Sequence, residues 1–526
     1  MAVTSTSAGR PGARGARAAD DRGRRVRRVR GDRRRRPFGP RHPESRRHDQ
    51  PGRRVGRRLT PPDRTARQGM IAAMTLAERL AVFAADLDVT HVPPAVIESV
   101  KLRVLDVLGI ALAASTHEFA PSVLAALESW GSGECTVVAA KTGAPLPLAI
   151  LANGTLAHGL DFDDTHAGSI THASAVVLPA ALSTGEAERV TGRAVLAAAV
   201  AGYEAITRIG LAVPGAFHAR GWHATSTCGV FAAALAVGKV MGLDAKRLAS
   251  AVGLAGSFAS GVMEYLTDGS WSKRVHAGWA GHGGAIAATL ARGGFGGPAT
   301  ILEGRFGLYA TMLGRAPDLA PFETLGREWE TLAVGYKPFP CCHLLHAYLD
   351  CALALGGKHR LAPEAIAEVE CRVPAGEVPI ICEPRHAKLE PRTSYDAQFS
   401  LPYTVAAALV DGRVTLDTFA PDRLRDPRLL GLAARVTHTI DPDSTFPDGF
   451  PGWVRVRLSD GRLLEAREPD GRGGPRRPLP PTAIVEKFRE NASRVLAAAR
   501  VDELEQAALG LDAIKDAGEL MRLCRG

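Results

Sequence analysis

The stretch PPAVIESVKLRVLDVLGIAL, residues 93–112, decides the fold class. Its two prolines stand where a helix can begin, and apolar side chains then recur every four residues at Val96, Val100, Val104, Leu108 and Leu112. Similar spacing runs through four further segments: 145–158, 193–212, 224–242 and 278–292. Several of them are apolar nearly all round, which predicts helices buried inside a larger helical body. No regular alternation of strands and helices appears, which counts against a Rossmann-like sheet.

The pattern changes after about residue 334, where apolar and charged residues begin to alternate. Segments 367–373 and 454–458 alternate in this way and are predicted to be half-buried strands. Asp460-Gly461 follows the second segment and predicts a hairpin with a type I′ turn. Helical spacing returns from about residue 481. The predicted fold is therefore mainly α: a large all-helical domain (74–333), an inserted, smaller α+β lid domain (334–480) and C-terminal helices that return to the helical domain (481–526).

The formal charge of +10 is concentrated at the start of the 526-residue chain. Residues 1–70 hold 22 Arg, no Lys and six acidic residues, a net charge of +16, so the remainder carries −6. We call residues 1–73 the leader, and its scarcity of large apolar side chains predicts disorder. An arm that binds nucleic acid and a transit peptide are two interpretations, the second opposed by the six acids. Arg without Lys favours a third, an over-extended reading frame with its start at Met70 or Met74, and we then expect no nucleic-acid partner.

The cysteines and the hydropathy of the chain bear on its compartment. No window holds the ~18 unbroken apolar residues of a membrane helix, so we expect no membrane partner. No CxxC pair or repeated spacing links the eight cysteines, which predicts reduced thiols in a cytoplasmic protein: Cys135, Cys228, Cys341, Cys342, Cys351, Cys371, Cys382 and Cys524.

The densest cluster of ionisable residues is HGLDFDDTH, residues 158–166, followed by a further histidine, His172. It trails an apolar helix, and if helical geometry persists, His158, Asp161 and Thr165 fall on one face. Carboxylates beside imidazoles can orient a histidine and raise its basicity, as general-base chemistry near neutral pH requires. A solvated helix end with capping aspartates is one alternative. A divalent-metal site is another, although the cluster has neither HExxH spacing nor an EF-hand pattern.

Two further segments place basic side chains directly before apolar helices. In GWHATST (221–227), His223 precedes a helix whose dipole favours the neutral, base-competent imidazole. In SWSKRVHAGW (270–279), the adjacent Lys273 and Arg274 stand at a helix start, which suits carboxylate binding. A linker histidine beside a helix cap and a solvated basic turn are the respective alternatives.

The last two segments lie in the predicted lid. In GYKPFPCCHLLH (335–346), prolines make a rigid segment that fixes Lys337 just before a helix. Its two cysteines and two histidines could suggest a metal, but adjacent cysteines cannot easily both face one ion, and no second pair completes a set. In SYDAQFSLPY (394–403), Tyr403 follows a proline and is predicted to lie in the first turn of a helix.

Together these segments resemble the MmgE/PrpD family, which includes 2-methylcitrate dehydratase, cis-aconitate decarboxylase and iminodisuccinate epimerase. The motifs HGLDFDDTH, SKRVHAGWAGHGG, GYKPFPCCHLLH and YDAQFSLPY occur in this order, and the resemblance runs from about Met74 to the C-terminus. It implies a large helical domain with an α+β lid, usually as a homodimer. It also implies that the protein needs no metal, cluster or organic cofactor.

The resemblance also implies a set of site residues. Two departures bear on the reaction: the spacing from Thr165 to His172 is one residue longer than in the decarboxylase, and Cys342 stands where the decarboxylase has a histidine, as in the dehydratase-like branch. His158 and Asp163 are interpreted as structural. The catalytic residues implied are Asp161, Thr165, His172 and His223, and the substrate-binding residues are Lys273, Arg274, His276, Lys337, Cys342 and Tyr403.

The reaction predicted from these residues is elimination of water from a small hydroxy-polycarboxylate, as in propionate metabolism. Lys273, Arg274 and Lys337 would hold the substrate carboxylates and stabilise enolate-like charge. His172 or His223 would be the base. Asp161 would orient its imidazole partner, while Thr165 and Tyr403 would hydrogen-bond substrate oxygens. Decarboxylation and epimerisation in the same pocket are the nearest alternatives. A non-catalytic nucleic-acid-binding or regulatory protein that uses the Arg-rich leader is an alternative of another class.

Overall fold

A computed structural model describes residues 73–446 and 449–526. The disorder predicted for the leader, and the nucleic-acid interpretation tied to it, concern residues that lie outside these ranges, apart from Ala73. Thirteen helices of ten residues or more occur in the described ranges: α1 (Leu76–Asp86), α2 (Pro94–Ala114), α3 (Ala120–Trp130), α4 (Leu146–His158), α5 (Ser174–Glu188), α6 (Gly192–Leu211), α7 (Ala224–Val240), α8 (Ala245–Ala255), α9 (Ser272–Arg292), α10 (His346–His359), α11 (Leu401–Asp411), α12 (Pro481–Ala492) and α13 (Ala498–Leu509).

The other described elements are short α-helices, six strands and several 3₁₀ helices of three or four residues. The short α-helices are Ala216–Ala219, Tyr265–Asp268, Leu308–Leu313, Ala320–Glu323, Val378–Ile381, Arg385–Leu389, Ser394–Gln398, Pro427–Ala433 and Gly518–Arg522. The strands are β1 (Thr165–His166), β2 (Val334–Gly335), β3 (Ile366–Val373), β4 (Val436–Ile440), β5 (Gly452–Leu458) and β6 (Leu463–Glu468). The prediction of a mainly α fold with a small α+β part is confirmed.

The helical body is built around α9, which packs against α4 and α7. Glycines allow the closest of these approaches: a Cβ on Gly278 would lie 2.1 Å from the carbonyl oxygen of Leu151, and one on Gly154 would lie 2.7 Å from the Cα of Gly278. The two helices can meet this closely only where side chains are absent. Their contact brings the C-terminal end of α4 near the first turn of α9.

Helix α12, the first of the C-terminal helices, packs on α2 in the same body. Phe488 is fully buried against Gly109, and the Lys487 ammonium lies 2.8 Å from the Asp106 carboxylate. Burial raises the pKa of Asp106 to about 6, although Lys487 opposes the shift. The same ammonium donates to the carbonyl oxygen of Phe162, so the C-terminal helix also supports the loop that follows α4.

Among the described residues, one helix, α6, is long and apolar enough to cross a membrane by composition. It is a core helix, because 89% of its most apolar window is buried inside the fold. Its burial among α5, α7 and α2 accounts for its apolar composition.

The predicted lid region, residues 334–480, contains a four-stranded sheet in the order β4-β3-β5-β6, with a separate hydrophobic core from residue 339 to residue 458. Strand β3 pairs in parallel with β4 and antiparallel with β5, and β5 forms the predicted hairpin with β6. The turn differs from the prediction. Of Asp460 and Gly461 only the glycine has positive φ, at 86°, so the loop is a three-residue turn ending in a left-handed glycine rather than type I′.

Candidate active site

The motif at residues 158–166 leaves the helix immediately, so the expected single helical face does not form. Helix α4 ends at His158, and Asp161 has a left-handed backbone with φ of 52°. The chain then runs into β1, which pairs antiparallel with β2 through Thr165 opposite Gly335. This two-residue pairing brings Lys337, two residues past Gly335, to the turn that holds Asp161.

Two lysines converge on Asp161. The Lys273 ammonium, in the first turn of α9, lies 2.6 Å from Oδ1 of Asp161, and the Lys337 ammonium lies 3.3 Å from the same oxygen. Lys337 also donates to the carbonyl oxygen of Asp161 at 2.9 Å. All three side chains are buried. Sequence reasoning assigned Asp161 to an imidazole, but its hydrogen bonds go to lysine.

The protonation states of this triad follow from burial and charge together. Burial alone would raise the pKa of Asp161, but Lys273 and Lys337 hold it well below its ordinary value. Burial alone would lower the pKa of Lys273, but Asp161 holds it well above its ordinary value. At neutral pH this carboxyl and this ammonium are therefore charged, and two lysines share one carboxylate.

Four imidazoles lie close together near the lysine pair. The ring of His158 lies 5.0 Å from that of His172 and 5.6 Å from that of His223, centroid to centroid. His276 continues the group, with its Nδ1 3.1 Å from Nδ1 of His223. The sequence prediction that His223 stands at a helix N-terminus is confirmed, since it is the N-cap residue of α7. These rings come from α4, α7, α9 and the loop after β1.

Burial keeps the predicted bases neutral. It lowers the pKa of His172 and of His223 well below the ordinary value, and nearby lysines act in the same direction. Burial also lowers the pKa of His276 to about 4. Nδ1 of His172 lies 2.9 Å from the carbonyl oxygen of Asp164, which can only accept, so Nδ1 carries the proton and Nε2 is the basic nitrogen. Thr165 Oγ1 lies 3.2 Å from the same Nδ1.

Arg274 and Cys342 lie at the edge of this group. The Arg274 guanidinium carbon is 4.6 Å from the Phe119 ring centroid and 5.6 Å from that of Tyr395, and its nearest carboxylate is Glu118 at 3.9 Å. Burial, reinforced by the charge of Asp161, raises the pKa of the Cys342 thiol to about 11, so the thiol is protonated at neutral pH. This protonation state does not favour a nucleophilic role for Cys342.

Tyr403 is the predicted residue that the structure does not bring to the site. It lies in the first turn of α11 as expected, but its hydroxyl donates to the Thr418 carbonyl oxygen at 2.8 Å inside the lid core. Tyr395 stands at the site instead. Its buried hydroxyl has no hydrogen-bond partner among the described residues. Burial raises the pKa of this hydroxyl, Lys273 lowers it and Asp161 raises it further.

Family models match most of the described chain. The MmgE/PrpD N-terminal domain matches residues 78–319, and the MmgE/PrpD C-terminal domain matches residues 339–512. The chain belongs to the MmgE/PrpD family. The resemblance inferred from the sequence is thereby confirmed, and the family is of the lyase type.

Curated MmgE/PrpD relatives align over nearly the whole of their own length. A cis-aconitate decarboxylase of Aspergillus terreus is 29% identical over 476 residues, which cover 84% of this chain and 94% of the relative. The cis-aconitate decarboxylase of Homo sapiens is 27% identical over 473 residues, covering 86% and 95%. That of Mus musculus is 27% identical over 463 residues, covering 84% and 91%.

Three side chains outside the set predicted from the sequence lie beside the predicted site residues. Two of them are His158 and Asp163, for which the sequence predicts a structural role and which lie among the imidazoles. The third is Tyr395, which belongs to the motif SYDAQFSLPY, in which the sequence analysis selects Tyr403. The sequence signal that could indicate Tyr395 is the capping box formed by Thr393 and Asp396, which fixes the short helix that carries this tyrosine.

One trio of side chains in the described ranges has the composition of a metal site. Ligand atoms of His158, Asp163 and His172 lie within 4.8 Å of one another. The trio is organised by hydrogen bonds instead: the His158 imidazole and the Asp163 carboxylate are 2.7 Å apart, and Nδ1 of His172 is engaged with a carbonyl oxygen. Lys273 and Lys337 act electrostatically on His172, and their charge opposes a second cation. We therefore assign no metal to this trio, and the expectation of a metal-free protein stays a prediction.

Proposed function

We propose that this protein is a cofactor-independent lyase that decarboxylates a small polycarboxylate related to cis-aconitate. One observation carries the proposal: two buried lysines share a single carboxylate beside several neutral imidazoles. With all three groups ionised, Asp161, Lys273 and Lys337 have a net charge of +1, which a substrate carboxylate can neutralise. The names of the curated relatives favour decarboxylation over the other reactions of the family.

The cations would act on the substrate in two ways. They would anchor one carboxylate, and they would stabilise the negative charge that spreads into it as the reaction proceeds. The Tyr395 hydroxyl, which is buried and has no partner among the described residues, would donate to a second carboxylate oxygen. Arg274 would contribute positive charge from the edge of the site.

Proton transfer would fall to His172 or His223. In decarboxylation the bond to the departing carboxylate breaks, CO₂ leaves, and its electron pair stays on the substrate and spreads into the remaining carboxylate. An imidazolium then protonates carbon. Both histidines are neutral in the free protein, but a bound polyanion raises the pKa of a neighbouring imidazole. Substrate binding would therefore favour protonation of the histidine, which later donates this proton to carbon.

Elimination of water, the reaction predicted from the sequence, is the second candidate. Cys342 favours it, because the dehydratase-like branch that this chain resembles has a cysteine there. In that reaction a neutral histidine removes a proton α to a carboxylate, and a second protonated group helps hydroxide to leave as water. The same lysines would stabilise the enolate-like intermediate.

Incubation of the full chain with a panel of di- and tricarboxylates in D₂O separates the candidates. We expect CO₂ release and a product with one carboxylate fewer that carries deuterium at the protonated carbon. A new alkene absorbance without CO₂ would assign dehydration, and exchange of the α-hydrogen alone would assign epimerisation. Lys337→Met is the control for the site, since loss of a carboxylate anchor should raise KM. No turnover with any member of the panel would refute the proposal.

We also propose that the active form is a homodimer in the cytoplasm. The family resemblance supports the dimer, and the reduced thiols predicted from the cysteine pattern support the compartment. Light scattering coupled to size-exclusion chromatography measures the mass in solution. A mass of about 111 kDa, twice that of the 55.5 kDa chain, is expected. A single-chain mass at assay concentration would contradict it.

A further inference from the structure

The imidazole of His158 and the carboxylate of Asp163 form a buried pair that the family resemblance left unassigned. Nδ1 of His158 donates to Oδ2 of Asp163 at 2.7 Å, and neither side chain is exposed to solvent. Nε2 of His158 and Oδ1 of Asp163 have no hydrogen-bond partner among the described residues. Buried polar atoms without partners are uncommon and call for an explanation, so a purely structural pair accounts poorly for them.

Asp163 stands between two imidazoles. Its Oδ2 is 2.7 Å from Nδ1 of His158 and 3.8 Å from Nδ1 of His172. His172 is held from other directions as well: its main-chain N–H donates to Thr225 Oγ1 at 3.0 Å, and its Nδ1 donates to the carbonyl oxygen of Asp164. Nε2 of His172 is therefore the nitrogen left for proton transfer, and Asp163 is the carboxylate nearest to the opposite side of the ring.

The charged groups around His172 have opposing effects on its proton affinity. Burial lowers its pKa most, Asp163 raises it, and Lys337, Lys273 and the neighbouring His158 ring lower it further. His223 approaches to 6.1 Å, centroid to centroid. Asp161 is already compensated by the two lysines. Asp163 is thus the main group in this environment that can stabilise an imidazolium at His172.

We propose that Asp163 and His158 are a positioning pair for His172: Asp163 supplies the counter-charge for the His172 imidazolium, and His158 holds Asp163 in place. The arrangement follows the logic of a carboxylate that orients an imidazole and stabilises its cation without itself taking the proton. Neither residue needs to touch the substrate. The proposal rests on the proposed function, because it assumes that His172 exchanges a proton with substrate.

The first experiment does not depend on turnover. In ¹⁵N-histidine NMR at pH 7, we expect His158 to carry its proton on Nδ1, because an ionised carboxylate can only accept. The His158 signals are assigned by their loss in His158→Gln. In Asp163→Asn the acceptor is no longer a carboxylate, and we expect a mixture of His158 tautomers. A proton on Nε2 of His158 in the unsubstituted protein would overturn the pair.

The second experiment measures the effect on catalysis with a matched control. Asp163→Asn should lower kcat by about 10²–10⁴-fold, the range of general acid–base catalysis, with KM changed by less than about threefold. It should also move the limb of the pH–kcat profile that reports His172 to lower pH, by about 1 unit or more. Asp350→Asn is the control: it removes another buried carboxylate, paired with Arg472 at 2.7 Å in the lid region. This variant should change neither kcat nor the pH–kcat profile.

The outcomes separate this proposal from the proposed function. A folded Asp163→Asn protein with unchanged kcat and unchanged pH profile would refute the positioning role while leaving the lyase assignment intact. No turnover by the unsubstituted protein would refute the proposed function, and the tautomer measurement would still decide whether the pair exists. If Asp163→Asn and Asp350→Asn lower kcat equally and neither shifts the pH–kcat profile, Asp163 has a structural role only.

Discussion

Substitution of Asp161 by Asn should destabilise the protein strongly, because it leaves two buried ammoniums without their shared carboxylate. The Lys273 and Lys337 ammoniums lie 2.6 Å and 3.3 Å from one oxygen of Asp161. At these two separations, unit charges attract by about 6 and about 5 kcal/mol at an effective dielectric constant of 20. The two attractions do not add fully, since the ammoniums repel each other. Removal of one partner from a buried ion pair costs about 3–5 kcal/mol, and we expect a loss in that range.

The pH dependence of this loss has a definite sign. In the unsubstituted protein the pKa of Lys273 is raised, so its stabilising contribution is present below the unfolded value of about 10.4 and is lost as the pH rises through the folded value. In Asp161→Asn, burial without a carboxylate lowers the pKa of Lys273. The unfolded chain then binds more protons than the folded one, and stability rises with pH. The penalty should therefore shrink between about pH 7 and pH 9.

Urea denaturation at pH 6, 7.5 and 9, followed by circular dichroism, measures both effects. The double variant Asp161→Asn/Lys273→Met is the control, because removing a lysine together with the carboxylate eliminates one uncompensated charge. It should recover a large part of the lost stability at pH 6, although activity stays low. A stability of Asp161→Asn within about 1 kcal/mol of the unsubstituted protein would refute the reasoning, as would a penalty that does not change with pH.

Four further outcomes are expected. Asn substitution of His172 or His223 should each lower turnover by about 10²–10⁴-fold, and near-normal rates in both variants would remove histidine from the mechanism. Tyr395→Phe should lower kcat/KM, whereas Tyr403→Phe should cost about 0.5–1.5 kcal/mol of stability with normal turnover; the reverse pattern would restore Tyr403 to the site. Activity should survive dialysis against a chelator, and loss that added metal restores would contradict this. Because burial lowers the pKa of His218 to about 4, stability should fall as the pH drops from about 6.5 to 4, and His218→Gln should make this fall shallower, while the other buried histidines still contribute to it.

Periodicity predicted those parts of the molecule in which local pattern and packing agree. The four-residue spacing of apolar side chains predicted α2, and the alternation at 367–373 predicted β3, because each pattern puts one face into a core. The turn at Gly461 was predicted in place but not in type, since Asp460 keeps an ordinary backbone. A dipeptide signal indicates where a chain reverses, while the twist and register of the flanking strands select the turn.

The assignment of individual carboxylates could not be predicted in the same way. Asp161, Asp163 and Asp164 lie within four consecutive positions, yet they contact lysine, histidine and arginine respectively. In a continuous helix the three carboxylates would point in different directions around the helix axis. The left-handed backbone at Asp161 changes the direction of the chain instead. Pairing of β1 with β2 then fixes the position of Thr165 and His166, directly after the third carboxylate.

The three neighbouring carboxylates have different partners, and this difference explains how the site can hold both charged lysines and imidazoles that accept a proton. The carboxylate of Asp161 keeps the Lys273 ammonium charged inside the protein. The carboxylate of Asp164 lies 2.7 Å from the buried Arg103 guanidinium, so its charge is already compensated. Only Asp163 faces imidazoles, and it can favour protonation of a histidine that two lysines oppose. If the left-handed turn were one residue further along the chain, the three carboxylates would no longer reach these partners. The lysines would then lack the carboxylate of Asp161, and His172 would lack the counter-charge of Asp163. The sequence DFDD therefore specifies the chemistry only together with the backbone turn at its first residue.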